Sequence, residues 1–163
     1  MNFSMIVLHG LILSAIASVF IILTLRFKPR IWLQDYPPDV QALVPPKTKT
    51  ERRLSLVLGI PFLLLLVAAP LISTLSMQSQ QPGEVSFLSL ALHAFGVVFI
   101  FNLIDWLVLD WIFFCTITPD FVVIPGSEDA EGYKNYQYHF RGFLIGTLFS
   151  AAEGLIIGVI IWL

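Results

Sequence analysis

The sequence predicts an all-α integral membrane protein: four transmembrane helices in one bundle, with the N and C termini outside and two cytoplasmic loops. Three observations carry this. Of the 163 residues, 57% are hydrophobic and only 12% are charged, with mean hydropathy +0.86. A soluble domain carries about 25% charge, so too few polar residues exist here to cover a globule in water. The apolar residues also fall into four runs of a length suited to a bilayer core, which takes about 20 residues of helix. Finally, the basic residues gather between particular runs.

The first run is Met5 to Leu25, closed by Arg26, and the second is Leu54 to Leu75, opened by Arg52 and Arg53. The third runs from Phe87 to Cys115, and the fourth from Gly142 to Leu163. In lipid the backbone must bond to itself, so runs this apolar read as helices. Residues 1–163 form a single membrane domain on this reading. The first run lacks a basic leader and continues past Ala15-Ile16-Ala17, so it reads as a retained anchor.

Orientation follows from lysine and arginine. Seven of the nine lie between runs one and two, and the others, Lys134 and Arg141, lie between runs three and four. The connector Ser76 to Ser86 has none. The positive-inside rule then puts both long connectors in the cytoplasm. The expected location is a plasma membrane of bacterial type.

The first connector carries Lys28-Pro29, Tyr36-Pro37-Pro38 and Val44-Pro45-Pro46. Proline restricts itself and the residue before it, so this stretch reads as mostly extended, with a short helix around Asp39 to Val44. Trp32 and Tyr36 suit a headgroup layer. The second contains Pro119 to Gly126, a β-prone run between prolines, and then the acidic residues Glu128, Asp129 and Glu131. These carboxylates lack calcium-loop spacing and read as a solvated loop.

Composition excludes several functions. The net charge of −2 gives no nucleic-acid footprint. A single cysteine, Cys115, rules out an intrachain disulfide or a multi-cysteine metal site. No phosphate loop, zinc-protease motif or nucleophile elbow occurs, and no metal site is expected.

Two features of the spans point to packing. The fourth has Gly142, Gly146, Ser150, Gly154 and Gly158 at every fourth position. Small residues in this register let another backbone approach closely in lipid. The expected partner is span one, with its Gly10, Ser14 and Ser18; a homo-oligomer through span four is the alternative. Span two holds Pro61 and Pro70, where a kink is expected.

Polar groups inside spans are costly and mark function or pairing. His9, His93, Asn102, Asp105 and Glu153 form a candidate polar path for protons or cations. His9 and His93 come from similar depth, roughly 6 to 10 Å below the outer boundary at the rise of a helix. They also admit a haem ligated by both, although no cofactor is the first expectation. Asp105 and Asp110 belong to the repeat Asp-Trp-x-x-x-Asp-Trp. At 100° per residue, Asn102, Asp105 and Asp110 fall within an arc of about 140°, so all three are able to line one side of that helix. Asp110 is expected to pair with Arg141 or His139 near the interface.

Three functional readings follow. The first is a small transporter, channel or membrane subunit of a larger complex, using the polar path. The second is a membrane-embedded enzyme acting on lipid or isoprenoid substrates, with Asp105, Asp110, His139 and Arg141 as its site. The third is an assembly factor. The bilayer is the one partner all three share.

Overall fold

The computed structural model describes residues 2–163. All regular structure among them is helical, and four helices are long and apolar enough to cross a membrane. Helix α1 spans Phe3–Phe27, and a 3-10 segment follows at Pro29–Asp35. Helix α2 is the short Pro38–Leu43, and α3 runs over Lys49–Ser79. Helix α4 covers Phe87–Ile104 and continues directly as a π-helix, Asp105–Ile117. A 3-10 turn at Glu131–Lys134 precedes α5, Tyr136–Trp162.

Local chemistry explains the boundaries. Hydropathy places the start of the second span at Leu54, but α3 begins at Lys49. Thr48 and Glu51 form a reciprocal capping box there, which satisfies donors that the first turn leaves free. Asn135 caps α5 by accepting the Tyr138 N–H at 2.9 Å, so that helix starts six residues before Gly142. Both Pro61 and Pro70 lie inside α3, and the helix runs continuously through them. The first connector is more helical than its prolines suggest, because Pro29 and Pro38 each start a helical turn, where a missing N–H costs nothing. The proline-flanked run at 119–126 forms turns and not a strand: Val122 N–H donates to Pro119 O at 2.8 Å, and Ser127 N–H to Ile124 O at 3.0 Å.

The α4 span sits at the centre. Its apolar window is 39% buried, against 6% for α3, so α3 is the outermost of the four. Helix α5 packs along α4, not on α1 as the sequence suggested. A Cβ at Gly154 would lie 2.7 Å from the Ala91 carbonyl oxygen and 2.8 Å from Phe95 Cβ, so only glycine admits this approach. Gly158 likewise faces Ala91, and Gly146 faces the Asn102 side chain. Gly142 has nothing near it and stands off this seam. Helix α1 packs on the other side of α4, where Gly10 receives Ile100 and Gly96 receives Ile6.

The two long connectors fold together into a cap over one end of the bundle. Leu33, Tyr36, Val40, Val122, Ile124 and Tyr133 form its buried core with Phe114 and Cys115 from the π-helix. Polar groups tie it. The Tyr36 hydroxyl donates to Val122 O at 2.8 Å, and Gly132 N–H donates to Asp39 Oδ2 at 2.6 Å. The Tyr133 hydroxyl accepts the Ile124 N–H at 2.8 Å. Arg30 clamps the first connector to α3 through Glu51 at 2.6 Å. Tyr36 is therefore a core residue of the cap, with its phenol held above its ordinary pKa chiefly by burial.

Candidate interfacial cavity

The π-helix sets the geometry of the site. An α-helix bonds residues four apart; a π-helix bonds residues five apart and is frequent at functional positions. Thr118 N–H donates to Phe113 O at 3.0 Å, and the Thr116 hydroxyl donates to Trp111 O at 2.7 Å, both across five residues. Residues five apart therefore stack. Trp106 and Trp111 confirm this register, with ring centroids 4.7 Å apart. Asp105 and Asp110 have the same spacing. The five-residue register brings them nearer than the arc of about 140° given by α-helical phase, and the shared side that the arc allowed holds. Both line one cavity.

That cavity measures about 690 Å³ and lies between the bundle and the cap. Its walls come from every span. Ile21 and Leu25 of α1, Phe62 of α3, Phe101 of α4, Phe114 and Phe143 supply apolar lining. Asp35, Asp105, Asp110, His139 and Arg141 add charged groups to the lining, and Asn102, Tyr138, Trp32 and Trp106 add polar and aromatic ones. A volume of this order, largely apolar with a few converging polar groups, is typical of small-molecule sites.

The charged groups differ in their partners. His139 Nδ1 lies 3.0 Å from Asp110 Oδ1, while His139 Nε2 is buried without a partner. Of the two expected partners of Asp110, the histidine makes the pair. Arg141 shares the cavity wall but is exposed and makes no ion pair or hydrogen bond among the described residues. Asp35 accepts a hydrogen bond from Gln34 at 2.7 Å. The protein mass on one side of Asp35 pushes its carboxyl above the usual range, and Lys47 opposes this. Lys47 itself donates to Ile31 O, Gln34 Oε1 and the Ser55 hydroxyl, and desolvation holds its pKa down. Trp106 Nε1 is buried with no acceptor.

The other candidate residues lie elsewhere. Asn102 donates to Phe143 O at 3.0 Å and to the Thr147 hydroxyl at 3.1 Å, clasping α4 to α5 at the cavity edge. His9 and His93 meet on a residue the sequence reading passed over, Ser73. His9 Nδ1 is 2.7 Å and His93 Nε2 is 2.9 Å from its hydroxyl oxygen. The chain thus places a serine, not an open coordination position, between the two imidazoles. A serine hydroxyl has one proton, so it donates to one ring and accepts from the other. Glu153 bonds to neither histidine, and its Oε1 is buried without a partner. His9, His93 and Glu153 do not line the cavity, so the candidate path divides into separate groups. Among the described residues, no cluster of three His, Cys, Asp or Glu side chains has metal-binding geometry. Glu128 instead accepts its own loop's Gly126 N–H at 2.9 Å, which holds its carboxyl below the usual range.

Sequence reasoning found Asp105, Asp110, His139 and Arg141, and read Trp32 and Tyr138 only as interfacial aromatics; it gave Asp35 no role, and none of these last three was joined to the site. Those three stand in polar connectors or at a helix start, where no periodicity marks them. Ser73 carried a signal: it is a hydroxyl inside an apolar run.

Fold and cavity together define the class, a four-span helical membrane protein with a charged pocket under a folded cap. No family model matches the chain, and neither curated proteins nor solved structures show a match to it.

Proposed function

We propose that this protein binds an amphiphile at the membrane interface, with the apolar tail along the Phe62, Phe101 and Phe143 side of the cavity and the headgroup among Asp35, Asp105, Asp110, His139 and Arg141. One observation carries the reading: a single cavity is lined both by aromatic side chains of the apolar helices and by charged groups. The Asp110–His139 pair adds an oriented imidazole, which favours proton transfer on the headgroup over passive ion conduction. The division of the candidate path into unlinked groups also argues against conduction. On this reading the cap faces the cytoplasm, since seven of the nine basic residues lie between the first two apolar runs.

The test is retention of an amphiphile. Native mass spectrometry of detergent-purified protein should show a bound lipid-like molecule. Gly142→Phe should displace it, because Gly142 lines the cavity and has open space around it. Equal retention by the variant removes the cavity as the site. Reporter fusions in the two long connectors test the orientation.

A further inference from the structure

The charges of the cavity select a headgroup. Three carboxylates line it: Asp35, Asp105 and Asp110. Among the described residues, Asp110 alone of the three has an ionisable partner within ion-pair distance, the imidazole of His139. Asp35, exposed like Arg141, is bonded to a neutral amide, and Asp105 makes no side-chain hydrogen bond among the described residues. Lys47, whose charge acts on Asp35, donates its hydrogen bonds to Ile31, Gln34 and Ser55 and none to the Asp35 carboxyl. Among the described residues no three ligating side chains converge, so the protein alone does not build a metal cage here. Against these stands one guanidinium of the lining, Arg141, exposed and without an ion pair or hydrogen bond among the described residues. Trp106 contributes an indole N–H with no acceptor.

We propose that the cavity recognises a zwitterionic lipid headgroup in which an ammonium sits between Asp105 and Asp35 and a phosphate diester faces Arg141 and the Trp106 N–H. This rests on the amphiphile reading above and names its ligand class. An ammonium carries up to three donors and no acceptor, so it satisfies carboxylates that the protein leaves open. Aromatic walls assist a cation, and Trp32, Tyr36 and Phe114 all line the same space. A guanidinium suits phosphate by its forked donors. A purely anionic headgroup meets three carboxylates and is disfavoured by like charge.

The experiment uses the full chain in a non-ionic detergent and four short-chain probes: phosphatidylethanolamine, phosphatidylglycerol, diacylglycerol and an alkylamine. Binding is read by native mass spectrometry and by the shift in unfolding temperature. Phosphatidylethanolamine should bind most tightly, the alkylamine next, and phosphatidylglycerol no better than diacylglycerol. Asp105→Asn and Asp35→Asn should each weaken phosphatidylethanolamine binding by about tenfold or more while diacylglycerol is unaffected. Asp35 lies in the connector, so its variant keeps the test alive if Asp105→Asn fails to fold. Arg141→Gln should erase the advantage of phosphatidylethanolamine over the alkylamine. Glu153→Gln, remote from the cavity, should change nothing. Phosphatidylglycerol binding as well as phosphatidylethanolamine, or unchanged affinity in both aspartate variants, overturns the ammonium site but leaves the cavity reading intact. Failure of all four probes, diacylglycerol included, overturns both.

Discussion

Asp105 and Asp110 stand five residues apart on a π-helical stretch and open into the same cavity. In an α-helix that spacing turns side chains about 140° apart, so the wider helix makes them neighbours. Asp110 is further fixed by His139 at 3.0 Å.

This pair should be worth more than a surface contact, because His139 is buried on α5. Asp110→Asn should lower stability by about 1 to 3 kcal/mol, the usual cost of stripping a buried polar group of its partner. His139→Gln should cost less when Asp110 is already removed, as coupled residues do in a double-mutant cycle. Additive losses in thermal unfolding would show that the two act independently.

Ser73 holds three helices together by bonding His9 of α1 and His93 of α4 from its place on α3. Ser73→Ala leaves His93 with neither ring nitrogen bonded, since its Nδ1 already lacks a partner. A loss of about 1 to 3 kcal/mol is expected, with amphiphile binding unaffected. A variant as stable as the parent removes the proposed clasp.

Gly154 is the tightest point between α4 and α5. Its missing Cβ would meet a backbone carbonyl, which cannot rotate away as a side chain does. Gly154→Leu should therefore separate the helices and lower unfolding temperature sharply. Gly59→Leu makes a matched control, because nothing lies near Gly59 and it sits on the outermost span. Equal behaviour of the two variants would contradict the seam.

The cap should be sensitive to base through Tyr36. Burial, with Tyr133 and Asp35 nearby, raises its phenol above the ordinary value. The unfolded chain thus releases this proton first, near pH 10, and the folded cap releases it later. Its contribution is complete below about pH 10 and declines as pH rises beyond that, because the unfolded state then binds fewer protons. Near-ultraviolet absorbance should show one tyrosine ionising only with loss of the cap. Tyr36→Phe should remove that step and cost about 1 kcal/mol for the lost bond to Val122.

Much of this was legible in the residues. The four spans follow from apolar runs, and even the capping box of α3 is written as Thr48-x-x-Glu51. Asp105, Asp110, His139 and Arg141 stood out because charges near lipid are rare. Their association with Asp35 was not legible, because a proline-rich connector has no period to say where its side chains go. The choice of His139 over Arg141 was likewise hidden: both follow the same helix start, and only helix rotation and cap packing decide which meets Asp110.

The repeat Asp-Trp-x-x-x-Asp-Trp shows where the division falls. Sequence by itself determined that this is a membrane protein of four helices, since transfer of apolar side chains out of water is additive and local. It also fixed which side chains are costly to bury. Tertiary structure decided the helical phase that gathers Asp105 and Asp110, the packing of α5 on α4, and the cap that closes the cavity. Those depend on how several segments share one space, and backbone hydrogen bonds in a π-helix differ from α-helical ones by a single residue of register.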